Sequence, residues 1–142
     1  MRVALDTSVL LDVLAADRAF GRASQEALRR AYDSGSLVAC DVVWAEVRAN
    51  FDAQRAFQGA MDALGVEFLP LSRAAAALAG DHWRAYHRRR TRPPAGGASR
   101  EKRVVADFLV GAHAQLQADA LLTRDRGFFR SYFKRLKLIE PG

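Results

Sequence analysis

Residues 3–11, with the sequence VALDTSVLL, pass from a short apolar run through an acid and two hydroxyl residues into a second apolar run. An apolar run without alternation is typical of a strand that is buried on both faces of a parallel sheet. Four more runs of this kind precede turn or capping residues, at positions 37–40, 66–69, 120–123 and 136–139. Helical stretches separate these runs, so the sequence predicts an α/β layer architecture with a mainly parallel sheet of about five strands.

The stretches between the apolar runs have helical composition or spacing. We expect helices at about 9–16, 19–32, 42–50, 52–64, 72–90, 102–117 and 128–133. Asp41 and Ser72 are predicted to cap the third and fifth of these helices, and Gly65 is predicted to end the fourth. Residues 91–100, TRPPAGGASR, contain two adjacent prolines and two adjacent glycines and are predicted to form a mobile loop.

Length, composition and cysteine content limit the class of protein. A chain of 142 residues, half of them apolar, is predicted to form one domain with a substantial core. It contains no run of about 18 uncharged apolar residues, so no membrane-spanning segment is expected. Cys40 is the only cysteine, which excludes an internal disulfide and a cysteine-based metal site. These features favour a cytoplasmic location.

The chain is basic, with 22 lysine and arginine residues against 16 acidic residues and a formal net charge of +6. A positively charged surface suits a polyanionic partner such as a nucleic acid. A soluble basic protein without such a partner would have the same composition, so charge alone leaves both interpretations open.

Four acids stand where an apolar strand meets a helix, or about one turn inside a helix. They are Asp6, Glu46, Asp107 and Asp125. Sites in open parallel sheets form beyond the carboxyl ends of the strands, at the point where the strand order reverses. If the first and fourth strands flank that point, the acids converge, and carboxylates in apolar surroundings then need a compensating charge. Oxygen ligands favour Mg²⁺ or Mn²⁺, which can activate water for attack on a phosphodiester.

Each acid also has a structural interpretation. Asp6 could cap a helix, Asp125 could belong to a turn, and Glu46 could be a surface charge. The apolar neighbours of Asp107 disfavour a solvated position, and Gly111 is expected to leave space on the same helix face. Four polar residues are candidates to support the carboxylates, namely Thr7, Ser8, Asn50 and Thr123. Their hydroxyls could equally cap helices or end a strand, and the amide could equally lie on the surface.

The acids and their neighbours resemble the motifs of the PIN-domain family, and within it those of the VapC-type toxins of bacterial toxin–antitoxin pairs. The matching motifs are Asp6-Thr7-Ser8 after the first strand, the helical Glu46, the run Asp107-Phe-Leu-Val-Gly-Ala-His-Ala114 and the turn Leu121-Leu-Thr-Arg-Asp125-Arg-Gly-Phe128. These motifs occur in the order that the family shows, and together they cover the whole chain.

The resemblance implies a three-layer α/β/α fold with residues 1–142 as a single PIN domain. It also implies a metal-dependent endoribonuclease that uses Mg²⁺ or Mn²⁺, with the four acids as catalytic residues and metal ligands. Proteins of this kind cut RNA, are held inactive by a cognate antitoxin and form homodimers. No membrane partner is expected. Many relatives carry a further acid near the last motif, but here Arg124 and Arg126 flank Asp125, which argues against tight binding of a second metal.

Arginine residues near the predicted site are candidates for binding RNA phosphates. They are Arg88, Arg89, Arg90, Arg92, Arg100, Arg103, Arg124 and Arg126. Trp83 and Tyr86 lie beside the first of them and are expected to be available for stacking on bases. A second basic group follows Asp125 and includes Lys134 and Arg135. It is expected to flank the cleft that holds the predicted acid site. The alternative is that these basic residues are simply solvated.

Other functions compete with this interpretation. A non-catalytic RNA-binding module of the same fold would bind RNA without cutting it, but such a module is expected to lack one of the acids. A small-molecule phosphatase of the haloacid-dehalogenase kind needs a second Asp two residues after Asp6, where Ser8 stands. A phosphate-receiver domain would leave the basic surface and Glu46 unexplained.

Overall fold

The computed structural model describes residues 1–90 and 104–142, except for the side chain of Arg90. The segment 91–100 that we expected to be a loop lies outside the described residues, as do Arg92, Arg100 and Arg103. The described part contains five strands, β1 (Arg2–Leu5), β2 (Ser36–Ala39), β3 (Val66–Phe68), β4 (Ala120–Leu122) and β5 (Leu138–Ile139). It contains seven helices, α1 (Thr7–Leu14), α2 (Gly21–Asp33), α3 (Asp41–Arg48), α4 (Gln54–Leu64), α5 (Arg73–Arg90), α6 (Val105–Gln117) and α7 (Arg126–Tyr132). None of these helices is both long and apolar enough to cross a membrane.

The five strands form one sheet in the order β3-β2-β1-β4-β5, and every neighbouring pair is parallel. β1 lies in the centre, where Val3 is opposite Leu37 of β2 and Ala120 of β4. The chain moves outward from β1 through β2 and β3, then returns to the other side of β1 as β4. The strand order therefore reverses between β1 and β4, and the predicted α/β fold with a parallel five-stranded sheet is confirmed.

The central strand is buried on both faces. Val3, Ala4 and Leu5 are consecutive residues of β1, and none exposes more than 2% of its surface. Successive side chains of a strand point to opposite faces of the sheet. Helices must therefore cover both faces, which gives the expected three layers and explains why the run is apolar without alternation.

Two predicted helix boundaries are confirmed by their hydrogen bonds. The Ser72 hydroxyl accepts a hydrogen bond from the backbone N–H of Ala75 at 3.1 Å, which caps α5. Gly65 has a φ of 73° at the end of α4, and its N–H donates to the carbonyls of Met61 and Asp62. Residues other than glycine rarely adopt this left-handed conformation, so Gly65 suits the end of the helix.

The predicted cap of α3 is wrong. Cys40 occupies the capping position, and Asp41 is the first residue inside the helix. The Asp41 carboxylate instead accepts a hydrogen bond from the backbone N–H of Leu71 at 2.7 Å. Leu71 belongs to the connection between β3 and α5, whose backbone N–H groups need acceptors outside regular structure. Asp41 therefore ties that connection to the start of α3.

Aromatic residues join α5, α6 and α7 around Phe108. The Phe108 ring lies 5.5 Å from the rings of Trp83 and Tyr86, 5.1 Å from that of Phe128 and 5.2 Å from that of Tyr132. Tyr86 exposes only 6% of its surface. The prediction that this tyrosine is available for stacking on bases is therefore wrong, because its ring fills the core between the helices.

Candidate active site

Asp6 follows β1 and caps the first helix. Its Oδ1 accepts a hydrogen bond from the backbone N–H of Thr7 at 2.8 Å, and its Oδ2 accepts one from the hydroxyl of Thr123 at 2.7 Å. Because of this cap, α1 begins at Thr7 rather than near Val9 as the apolar pattern suggested. The structural interpretation of Asp6 as a helix cap is thus correct. Only Oδ1 acts as the cap, and Oδ2 bonds to the Thr123 hydroxyl instead.

The acids after β1 and β4 and at the start of α6 lie near each other. Burial of the Asp6 carboxyl raises its pKa above the ordinary value, and the hydrogen bonds from Thr123 and the Thr7 N–H act in the opposite direction. The negative charges of Asp107 and Asp125 raise the Asp6 pKa further. Asp107 and Asp125 are thus near enough to Asp6 for their charges to affect it. The convergence of all the acids on one ion stays a prediction.

Thr123 connects two of these acids. Its side chain is fully buried at the end of β4, donates to Asp6, and accepts a hydrogen bond from the backbone N–H of Asp125 at 2.9 Å. The Asp6 backbone N–H also bonds to the carbonyl of Leu122 at 3.0 Å, which continues the pairing of β1 with β4. Of the two interpretations of Thr123, orientation of the acids therefore agrees with the structure.

Asp107 lies in the first turn of α6 and is partly buried. Its carboxylate lies 3.4 Å from the backbone N of Val104, the residue before the helix. The expected space beside Gly111 does not exist, because a side chain at that position would meet the ring of Phe133. Gly111 thus allows the Phe133 ring to pack closely against α6.

Glu46 is exposed and is linked to the start of α1 through Thr7. The Thr7 hydroxyl donates a hydrogen bond to Glu46 Oε1 at 2.9 Å, although the two residues lie on different helices. Thr7 therefore does not cap α1, because Asp6 does, and it orients a carboxylate instead. The Asn50 side chain donates to the backbone carbonyl of Glu46 at 2.9 Å, one turn earlier in the chain. Asn50 is exposed and so steadies the end of α3 rather than contacting the Glu46 carboxylate.

The hydroxyl of Ser8 is buried and makes no hydrogen bond to any described group. Buried polar atoms in proteins nearly always have a partner, so an orphaned hydroxyl suggests a missing water, ion or ligand. Ser8 follows Thr7 directly at the start of α1. The start of this helix therefore has a hydroxyl with unused hydrogen-bonding capacity.

The donor set fits a hard divalent cation by its chemistry. All candidate ligands are carboxylate oxygens, the type that Mg²⁺ and Mn²⁺ prefer. A cation would also offset the burial and the charges that oppose ionisation of Asp6. Among residues 1–90 and 104–142, however, no three Asp, Glu, His or Cys side chains are close enough to hold one ion as they stand. Binding one ion through three of these acids would therefore require them to move toward it, whereas Mg²⁺ usually takes one or two carboxylates and keeps several waters.

Sequence reasoning missed a second buried carboxylate, that of Asp12. It exposes 4% of its surface and accepts hydrogen bonds from Arg124 Nε at 2.7 Å, Arg124 Nη2 at 3.0 Å and the Ser24 hydroxyl at 2.9 Å. The guanidinium of Arg124 also lies 4.0 Å from the centre of the Phe20 ring. The signal for Asp12 was available, since it interrupts the apolar run of α1 just as Asp107 interrupts that of α6.

This pairing gives Arg124 a structural role, and its predicted contact with RNA stays a prediction. Two of its nitrogens are held by Asp12, so the side chain anchors the turn between β4 and Asp125 to α1. Arg126 makes a more exposed pair with Glu140 at 3.2 Å. Arg88 and Arg89 are exposed, and the Arg89 guanidinium lies 5.4 Å from the centre of the Tyr132 ring. The other predicted RNA-binding arginines belong to the part of the chain that is not described.

Comparisons with known proteins agree with the motifs. The family model of the PIN domain matches residues 3–134. The fold is similar to that of VapBC2 from Rickettsia felis bound to a promoter DNA fragment, with 16% identity, a TM-score of 0.71 and all of both chains covered. It is similar to VapBC-1 from nontypeable Haemophilus influenzae, with 19% identity, a TM-score of 0.65, and 99% of this chain and 98% of that chain covered.

A third similar structure is VapC20 from Mycobacterium tuberculosis, described as a sarcin–ricin loop cleaving toxin. Identity is 16%, the TM-score is 0.56, and the match covers 95% of this chain and 98% of that chain. A search of curated proteins gave no match. The resemblance to PIN domains and VapC toxins that the sequence motifs suggested is thus confirmed by a family match and by fold.

Proposed function

Because the chain belongs to the PIN-domain family, we propose that it is a divalent-metal-dependent endoribonuclease and the toxin of a toxin–antitoxin pair. The PIN and VapC families are nucleases, which provides the reaction class. We further propose that residues 1–142 act as a single PIN domain, a proposal supported by the match over residues 3–134.

One observation carries the proposal. The Asp6 carboxylate is held at the reversal point of the sheet by two hydrogen bonds, while burial and two further acids oppose its ionisation. No cationic side chain bonds to Asp6 within the described part of the chain. Because a largely buried carboxylate that bonds only to neutral donors is costly, Asp6 is expected where a bound cation supplies compensating charge.

The acids would hold Mg²⁺ or Mn²⁺, and the surrounding residues would position them. Asp6, Asp107, Asp125 and Glu46 are the proposed metal ligands and catalytic residues. When bound, such an ion activates water and offsets the negative charge that develops on the phosphate. Thr123 would keep Asp6 and Asp125 in a fixed relation through its two hydrogen bonds, and Thr7 would hold Glu46 toward them. Asn50 would support Glu46 indirectly, through its hydrogen bond to the Glu46 backbone carbonyl in α3.

The proposed partners follow from the family and the similar structures. RNA is the proposed substrate, and structured RNA is favoured because one similar protein is described as cleaving the sarcin–ricin loop. A cognate antitoxin is proposed because two similar structures are VapBC assemblies. We retain a homodimer and a cytoplasmic location as proposals, and Arg88, Arg89 and Arg90 as candidates for RNA contact at the end of α5. Among the remaining arginines, Arg126 stays a candidate beside Asp125.

Cleavage of RNA with and without metal tests the proposal. Purified protein should cut structured RNA with Mn²⁺ or Mg²⁺ and should stop when EDTA is added. Asp107→Asn keeps the size of the side chain but removes its charge, so it should bind RNA and fail to cut it. Cleavage that continues in EDTA, or that is undiminished in Asp107→Asn, would remove metal or Asp107 from the mechanism.

The alternative of a non-catalytic RNA-binding module has one observation in its favour. Among the described residues, no three acids lie close enough together to hold one ion as they stand. The same assay separates the two functions. Protein that binds RNA but never cuts it, over a range of Mn²⁺ concentrations and RNA substrates, would favour the module.

A further inference from the structure

A basic cleft separate from the acids lies between α5 and the end of α7. We define the basic cleft by six of its lining residues, His82, Arg89, Gln115, Tyr132, Lys134 and Arg135. Its volume is about 480 Å³, which is enough for part of a polynucleotide chain. Three of these residues carry positive charge, and none of the described residues that line the cleft is acidic. The cleft therefore suits an anionic ligand.

Lys134 and Arg135 have no acidic partner in the part of the chain that the structure describes. Both side chains are exposed, and neither forms an ion pair with another described residue. Arg124 and Arg126 differ in this respect, since each bonds to a carboxylate. Two neighbouring cations without an acid repel each other, so a bound anion would stabilise this arrangement.

The lining favours phosphate groups over bases or apolar ligands. The Tyr132 ring packs against Phe108 and Phe128, with the Arg89 guanidinium over it at 5.4 Å, so this ring is already occupied. The His82 ring lies 4.7 Å from that of Phe133. What the cleft offers to a ligand is therefore charge and hydrogen-bond donors, which match a phosphodiester backbone.

The basic cleft lies within reach of a strand that occupies the acid site. Asp125 comes immediately before α7, and Lys134 follows soon after its end. The seven residues of α7 span about 10 Å at 1.5 Å per residue. That length corresponds to about three nucleotides at the roughly 3.4 Å spacing of a stacked strand. An RNA cut beside Asp125 can thus extend along α7 into the cleft.

We propose that the basic cleft is a phosphate-binding subsite for the RNA strand, in which Lys134 and Arg135 hold the backbone away from the scissile bond. This inference rests on the proposed ribonuclease function. The subsite strengthens binding of RNA that is long enough to reach it, and it takes no part in the cleavage step. It therefore affects KM for long RNA and leaves kcat unchanged.

The test compares two double variants that each remove two positive charges. Lys134→Gln/Arg135→Gln changes the cleft, and Arg29→Gln/Arg30→Gln changes two adjacent exposed arginines on α2. RNA binding is measured by fluorescence anisotropy in EDTA over a salt series, with a labelled hairpin that carries single-stranded flanks. The cleft variant should raise Kd roughly tenfold at low salt and reduce the salt slope by about 1.4, the effect of two lost phosphate contacts. The α2 variant should stay close to wild type.

Cleavage assays then separate the subsite from the active site. With Mn²⁺ and the long hairpin, the cleft variant should raise KM by a similar factor at unchanged kcat. With a short RNA that ends before the cleft, it should match wild type in binding and in any cleavage. Circular dichroism melting checks that both double variants fold as wild type does, which their exposure leads us to expect.

Three results would overturn the inference. Equal RNA affinity and salt slope in the two double variants would show that general charge, not the cleft, attracts RNA. Loss of kcat in the cleft variant would place these residues in the cleavage step. Tighter binding of duplex DNA than of RNA through the cleft would assign it to another ligand. Failure of the proposed function looks different, because wild type would then not cut RNA at all while the two variants still differed in binding.

Discussion

The carboxylate that caps α1 and a carboxylate inside α1 have opposite surroundings. Asp12 is buried with a bidentate Arg124 and the Ser24 hydroxyl, so its charge has a partner inside the protein. Asp6, at the start of the same helix, has two neutral donors and two acids near it, and its pKa is raised. Burial alone therefore does not identify a functional acid. The absence of a cationic partner for Asp6 within the described residues distinguishes a candidate ligand from a structural ion pair.

The largest expected effect is on catalysis. Asp6→Asn should lower RNA cleavage with Mn²⁺ by at least about a hundredfold, the upper range for losing even an outer metal-site partner. It should leave the free energy of unfolding in EDTA unchanged or slightly higher, because a carboxylate whose ionisation the fold opposes is removed. Single-turnover cleavage and urea unfolding measure the two quantities. Near-normal cleavage by Asp6→Asn would show that Asp6, like Asp12, is not a catalytic metal ligand.

Metal binding should stabilise the protein through the acid site. Mn²⁺ at a hundred times its Kd should raise the free energy of unfolding by about 2.7 kcal/mol. Asp6→Asn should lose this gain, whereas Asp12→Ala should keep it. Thermal melting with Mn²⁺ and with EDTA measures the difference. An equal shift in all three proteins would mean that the ion binds elsewhere.

Asp12 should matter for stability more than for chemistry. Asp12→Ala leaves Arg124 and Ser24 without their partner, and we expect a loss of about 2 kcal/mol, since hydrogen bonds to charged groups contribute roughly 1.5–3 kcal/mol each. This value allows for the partial exposure of Arg124, whose side chain is 32% exposed. Urea unfolding measures the loss. Glu26→Ala, an exposed acid on α2, is the control and should change stability by less than about 0.5 kcal/mol.

The smallest expected effect is a pH dependence in the absence of metal. The pKa of Asp6 in the folded protein is raised above its ordinary value of 3.8. Below that pH the carboxyl is protonated in both states. As the pH rises, the unfolded chain loses this proton first, so wild type should lose stability relative to Asp6→Asn. Urea unfolding in EDTA from acid to neutral pH measures the sign of this stability difference. A wild type that becomes more stable relative to Asp6→Asn as the pH rises would contradict the prediction.

Much of the fold was predictable because it depends on local patterns. The unbroken apolar run of residues 3–5 predicted a strand buried on both faces, and the glycine at position 65 predicted the end of α4. The capping role of Asp41 was predicted wrongly because its actual partner, Leu71, lies 30 residues away. Local rules can compare candidates for a cap, but they cannot detect a competing donor from a distant segment.

The sequence predicted which residues belong to the candidate site but not which of them contact each other. The four acids were identified by their apolar settings, and Thr7 and Thr123 were recognised as possible supports. Which acid each hydroxyl contacts depends on how α1, α3 and β4 meet. Arg124 is an example. Its position beside Asp125 in the sequence suggested contact with RNA, and the structure shows its side chain bonded to Asp12.

The sequence by itself determined the class of fold and the chemical character of the acids, because hydrophobic periodicity and side-chain type are properties of neighbouring residues. Only the tertiary structure decided which buried carboxylate received a cation. Asp12 and Arg124 are 112 residues apart, and the pairing of β1 with β4 brings their segments together. The same pairing joins Asp6 to Thr123 and leaves Asp6 with neutral donors, since hydrogen bonds and charges act over a few ångströms regardless of separation along the chain.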